Sequence, residues 1–257
     1  MEAKDRIIVA LDVDNPEKAI AIVEQLSDYV GLFKVGLQLI YAIFAGLVAA
    51  PLEDVASSNL RIARKLFSLL QGKLFLDSKL HDIPNTMAGS SAEIAKIEPA
   101  MFNFHASAGI DAMRNAVANR GGSKVLAVTV LTSLGEDPGH LIYGAPTKAK
   151  VLQFARDAKM AGVDGLVCSS MEISLLRIQK ELSGMLLVTP GVRPSWASKG
   201  DQARTDTPGG AIEAGADYLV IGRPITSPPP EIGSSISAAE LIAEEIEKAL
   251  AVREANK

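Results

Sequence analysis

Apolar residues along this chain gather in short runs, separated by longer segments with helical spacing. The runs Arg6–Leu11, Leu32–Val35, Lys73–Leu76, Ala100–Phe104, Lys124–Val130, Gly165–Cys168, Met185–Val188 and Tyr218–Ile221 have the length and composition of strands buried on both faces. Helices are expected between them, for example at Pro16–Leu26, Asn59–Leu70, Ile110–Ala118, Thr147–Ala161, Glu172–Leu182 and Ser237–Ala251. Strand alternating with helix eight times implies parallel pairing through right-handed crossovers. Eight such units in 257 residues predict one (β/α)8 TIM barrel spanning residues 1–257. A doubly wound open sheet is the alternative, but no G-x-G-x-x-G follows the first strand. Ala161-Gly162-Val163-Asp164 echoes Ala214-Gly215-Ala216-Asp217, as repeated units would: each predicts a helix stopped at glycine and an aspartate opening the next strand.

Three stretches break the rhythm. Leu37 to Ala50 is the most apolar, yet too short for the roughly 20 residues a bilayer span needs, so a buried helix or a subunit contact is expected. It runs into an enlarged apolar connection, residues 42–58. Gly135 to Pro146 and Pro190 to Pro208 read as long loops, and the second has the makings of a lid. A net charge of −4 without a basic run argues against a nucleic-acid surface. The charged N-terminus carries no signal-peptide apolar region. The one cysteine, Cys168, falls in an apolar run and reads as a core thiol, consistent with a reducing, cytoplasmic compartment.

Chemistry concentrates where the strands end. Phe75 to Thr86 carries Asp77, Lys79 and Asp82 within six residues. Alternation along a strand points Asp77 and Lys79 the same way, and Asp82 falls just ahead of Pro84, where a helix would begin. Buried ionisable groups must pair or do chemistry, and a structural ion pair is the plain alternative. In a barrel, Asp12 and Lys34 join the same rim, giving an alternating acid–base array that favours catalysis. Gly222-Arg223 follows the last strand, where barrels often bind phosphate, and Gln202 could close over it. His81, His105 and His140 lack ligand spacing, so no metal site is expected. His105 reads as a core or rim group and His81 as a loop-positioning residue.

Taken together these motifs closely resemble the bacterial type of the orotidine 5′-phosphate decarboxylase family. The resemblance covers nearly the whole chain. It rests on Ile8–Asp12, Phe33–Gly36, Asp77-Ser-Lys79-Leu-His-Asp82-Ile-Pro-Asn-Thr86, Val128–Ser133, Thr189–Arg193, Asp201–Arg204 and Val220–Ile225. Ser78 stands where many such sequences have leucine; its side chain should point away from Asp77 and Lys79 and affect packing only.

The resemblance implies decarboxylation of orotidine 5′-monophosphate to UMP with neither metal nor organic cofactor. Lys79 would protonate C6, Asp77 would face the departing carboxylate, and Lys34 and Asp82 would hold Lys79. Asp12, Lys34 and Thr86 would contact the ribose, Thr132 the pyrimidine, and Arg193, Gln202, Gly222 and Arg223 the phosphate side. It also implies a homodimer in which Asp82 crosses from a second subunit. The rival readings are a Mg²⁺-dependent keto-sugar-phosphate decarboxylase, a Schiff-base aldolase using Lys34 or Lys79, and a non-catalytic phosphate-ligand binder.

Overall fold

The computed structural model describes residues 1–49, 59–197 and 206–255. They form a closed barrel of eight parallel strands in sequence order: β1 Ile7–Ala10, β2 Leu32–Val35, β3 Leu74–Leu80, β4 Met101–His105, β5 Lys124–Val128, β6 Gly165–Val167, β7 Leu186–Pro190 and β8 Tyr218–Ile221. β8 returns to pair with β1 through Ile8 and Val220, so no edge is left open. The expected (β/α)8 fold is therefore the observed one.

Strand alternation divides the apolar residues between two cores. Inward positions such as Ile8, Leu32, Phe75, Met101, Leu126 and Val188 fill the barrel. Outward positions such as Val9, Phe33, Leu74, Phe102 and Leu187 pack beneath the helices. Moving up the inward face, apolar gives way to polar: Leu32 is followed by Lys34, Phe75 by Asp77, and Met101 by Asn103. The lower barrel is a hydrophobic plug, and the carboxyl end above it is where charge collects. Gly165 belongs to the plug: a Cβ there would sit 2.6 Å from the Leu186 carbonyl oxygen, so only glycine fits.

The lower rim is tied by a repeated device. Asp164, just ahead of β6, accepts a hydrogen bond from the Val125 N–H of β5 at 2.8 Å and pairs with Arg120. Asp217, just ahead of β8, accepts one from the Leu187 N–H of β7 at 2.8 Å and pairs with Arg177 at 2.6 Å. Gly162 (φ 81°) and Gly215 (φ 120°) end the preceding helices in conformations that glycine adopts readily. The sequence echo is thus a structural one.

The helices Pro16–Leu26 and Ile110–Ala118 have the expected limits. The first begins there because Asn15 accepts the N–H groups of Glu17 and Lys18, with Pro16 at the first helical position. Three expectations are corrected. The segment Glu172–Leu182 is broken into the helix Ile173–Arg177 flanked by 3₁₀ turns, because Gln179 is extended. Gly135 to Pro146 is no open loop: it holds the helix Glu136–Tyr143, with acidic residues in its first turn and left-handed Gly144 as its stop.

The third correction concerns the apolar stretch, which forms the helix Leu37–Ala49 and buries only Leu39. Leu37, Tyr41, Phe44 and Val48, at spacings of four, three and four, all stay exposed. It is therefore no buried helix, and a subunit contact is the surviving expectation. Residues 50–58 of the enlarged connection lie outside the described residues. Among the described residues no helix is long and apolar enough to cross a membrane. Cys168 is buried, as expected, and burial pushes its thiol well above the ordinary range.

Candidate active site

A cavity of about 470 Å³ opens at the carboxyl ends of the strands. Asp12, Lys34, Asp77, Lys79, Thr132, Arg193, Gly222 and Arg223 all line it. Two further sequence-predicted residues do not join them. Asp82 and Thr86 are exposed outside this chain's own cavity, and Gln202 lies outside the described residues.

One wall is a chain of alternating charge. Lys34 Nζ donates to Asp12 Oδ1 at 2.8 Å and lies 3.3 Å from Asp77 Oδ2. Lys79 Nζ donates to Asp77 Oδ1. Burial works against the Lys34 ammonium, but Asp77 and Asp12 outweigh it and raise its pKa above the ordinary lysine value. Burial likewise works against an ionised Asp77; Lys34, Lys79 and a hydrogen bond from Asn103 overcome it and hold the carboxyl below its usual range. Both groups are thus kept charged although buried. Among the described residues no three His, Cys, Asp or Glu side chains converge as a metal site requires.

Local backbone makes this wall possible. Between Leu76 and Leu80, β3 has three residues where β4 has one, so the register shifts there. Lys79 takes a left-handed backbone (φ 50°), rare for a residue with a side chain. Its N–H leaves the ladder and donates to the Asn103 side chain at 2.9 Å. Ser78 points away from the cavity, as expected, and its hydroxyl donates to the Asn103 carbonyl at 2.6 Å. Gly36 is the other close approach: a Cβ there would lie 2.8 Å from Lys34 Nζ.

The opposite wall carries Arg193 and Arg223. Burial, then the neighbouring Arg223 charge, lowers the Arg193 pKa, so this end favours an anion. The Arg193 N–H donates to the Asp206 carbonyl at 2.8 Å, closing the neck of the Pro190–Pro208 segment. Gly222 is not demanded by its protein neighbours, since a Cβ would meet Ala10 at an ordinary 3.6 Å.

His105 sits at the rim with its ring edge-on to His81, centroids 5.7 Å apart. Burial, followed by the Lys79 and His81 charges, pushes it down to about 4. His81 in turn bonds Ser107 at 3.1 Å, consistent with a loop-positioning role. Sequence reasoning missed Asn103. The available signal was its period-two position between Met101 and His105, which aims it into the barrel.

Fold and site together define a (β/α)8 barrel enzyme with an acid–base wall and a pair of arginines in one cavity. Residues 5–232 match the family described as "Orotidine 5'-phosphate decarboxylase / HUMPS family". A protein of Heliobacterium modesticaldum named orotidine 5′-phosphate decarboxylase is 43% identical, the alignment covering 98% of this chain and 100% of that one. A protein of that name from Geobacter sulfurreducens is 41% identical over 95% of this chain and 97% of its own. The crystal structure of orotidine 5′-phosphate decarboxylase from Lactobacillus acidophilus superposes with a TM-score of 0.70 at 31% identity, covering 93% of this chain and 98% of that one. The chain belongs to the orotidine 5′-phosphate decarboxylase / HUMPS family.

Proposed function

We propose that this chain is a carboxy-lyase that converts orotidine 5′-monophosphate to UMP and CO₂ in pyrimidine biosynthesis, with neither metal nor organic cofactor. The observation that carries this reading is the Lys34–Asp77–Lys79 array set across one cavity from Arg193 and Arg223. The named relatives point the same way.

The chemistry follows from charge. Breaking the bond between C6 and the carboxylate leaves its electron pair on C6 as CO₂ departs. A cation about 4 Å away, at an effective dielectric constant of about 20, is worth about 4 kcal/mol to that carbanion. The Lys79 ammonium supplies the cation, then transfers its proton to C6 and regains one from solvent. Asp77 lies beside the departing carboxylate, and Lys34 holds Asp77. Asp12 and Lys34 contact the ribose, Thr132 reads the pyrimidine, and Arg193, Gly222 and Arg223 grip the phosphate, with Gln202 closing from the loop. Phosphate binding far from C6 supplies energy for closure.

The working unit is a homodimer of single-domain barrels in the cytoplasm, with Asp82 and Thr86 reaching the cavity of a second copy. This reading is supported by their exposure outside their own cavity, beside Ile83, which is 66% exposed.

The test is loss of orotidine 5′-monophosphate ultraviolet absorbance with purified protein in excess EDTA. The wild-type protein should turn over and Lys79→Ala should fall by more than about 10³-fold while remaining folded. Activity that disappears in EDTA would move the protein to the metal-dependent sugar-phosphate decarboxylases. Near-normal turnover by Lys79→Ala would remove Lys79 as proton donor.

A further inference from the structure

One buried residue of β4 holds three successive residues of β3. Asn103 is fully buried and faces the barrel interior. Its side-chain oxygen accepts the Lys79 N–H at 2.9 Å. That bond fixes the amide's orientation, because a backbone N–H must face the oxygen, so the NH₂ group is left facing Asp77 Oδ1, to which it donates. The Asn103 carbonyl accepts the Ser78 hydroxyl at 2.6 Å. Asp77, Ser78 and Lys79 are therefore all registered against one side chain and its own backbone.

This stretch needs such a tie. β3 leaves the regular ladder here, and Lys79 adopts a left-handed backbone that a lysine does not choose by itself. Without a partner the Lys79 N–H would be an orphan donor at the barrel top. Asp77 also has two cations competing for it, Lys34 on Oδ2 and Lys79 on Oδ1. A neutral donor on Oδ1 turns the carboxylate without cancelling its charge.

We infer that Asn103 is a positioning residue for the decarboxylation: it sets the left-handed turn that presents Lys79 and fixes the carboxylate plane of Asp77 between the two lysines. This rests on the function proposed above and deepens it. Asn103 is not itself among the residues that line the cavity; it acts through Asp77 and Lys79, which are. A displacement near 1 Å at such a centre costs on the order of 10²-fold in rate.

The isosteric variant Asn103→Asp discriminates positioning from mere structure. Its carboxylate can still accept the Lys79 N–H, but when ionised it sets a like charge on Asp77 Oδ1. When the two carboxyls share a proton, the missing donor returns. The other charged or titratable groups facing this point are Lys34, Asp12, His81 and His105, present equally in both proteins, so the ratio of variant to wild type isolates the new group.

The expected result near pH 8 is a kcat lower by on the order of 10²-fold, with UMP affinity within about threefold of wild type; the deficit then shrinks several-fold towards about pH 5.5. Asn103→Ser, which cannot span both partners, should lose kcat by a similar factor with no recovery at low pH. It also serves if Asn103→Asp does not fold. The inference is overturned if either folded variant keeps kcat within about threefold of wild type near pH 8. It is also overturned if both lose kcat and UMP affinity together by one factor at every pH, the mark of general damage. A wild-type protein inactive on orotidine 5′-monophosphate removes instead the function on which the inference rests.

Discussion

Replacing Lys34 with Met takes the ammonium from between Asp12 and Asp77 and keeps most of the volume of the side chain. Lys34 is 9% exposed and Asp77 8%. Breaking a buried ion pair from one side costs about 3–5 kcal/mol, because the remaining charge stays uncompensated. Asp77 keeps Lys79 and Asn103 as partners, so the expected loss is at the low end, about 3 kcal/mol. For a chain of this size that lowers Tm by about 6–12 °C. The pH dependence follows from Asp77. Its folded pKa is lowered, so its contribution is present above its unfolded pKa and is lost as pH falls through the lower folded value. Removing Lys34 raises that folded value towards or above the unfolded one. The stability gap between the two proteins should therefore be full at neutral pH and narrow as the pH approaches about 4. Thermal unfolding followed from near pH 8 to near pH 4 reads this directly. A Lys34→Met protein as stable as wild type near pH 7, or a gap constant across the range, would refute the claim that Lys34 keeps Asp77 charged.

Three further outcomes are expected. Arg223→Ala should lower kcat/KM by about 10- to 100-fold, as loss of a charge-assisted hydrogen bond predicts, with most of the loss in KM; steady-state kinetics will show the split. Ile83→Glu, beside Asp82, should yield a monomer by sedimentation and lose turnover by on the order of 10²-fold, whereas a monomeric variant with full activity would end the shared-site reading. His105, near 4 in the folded protein, is neutral there while the unfolded chain binds a proton up to about 6.5. Its contribution to stability thus rises with pH across that window, and His105→Gln should flatten the slope of stability against pH between those values.

The barrel was legible because parallel strands buried on both faces leave short apolar runs, and nothing else repeats eight times at this spacing. Leu32–Val35 and Tyr218–Ile221 match their strands residue for residue. β3 was read too short because Asp77 and Lys79 look like the end of a strand; they are its working part, held there by partners distant in sequence. Asp12, Lys34, Asp77 and Lys79 were found together because charge on a buried strand is conspicuous. Asn103 was missed because an amide on a strand carries no charge to notice, and its value lies in two partners 24 and 26 residues away. The exposure of the helix Leu37–Ala49 could not be read from a run apolar on all sides, since such a helix has no polar face to mark where solvent lies.

The two aspartate–arginine clamps have a bearing on how this fold ages and changes. Both tie neighbouring staves at the end away from the cavity, through the amides of Val125 and Leu187. Durability is thus anchored where no substrate comes. In hydrogen exchange those two amides should belong to the slowest-opening part of the molecule, while the Lys79 amide, hung on one side chain, should open by a local path of lower free energy. The rim can be remodelled, residue by residue, with the base left untouched. That division of labour lets one barrel keep its shape while its chemistry drifts.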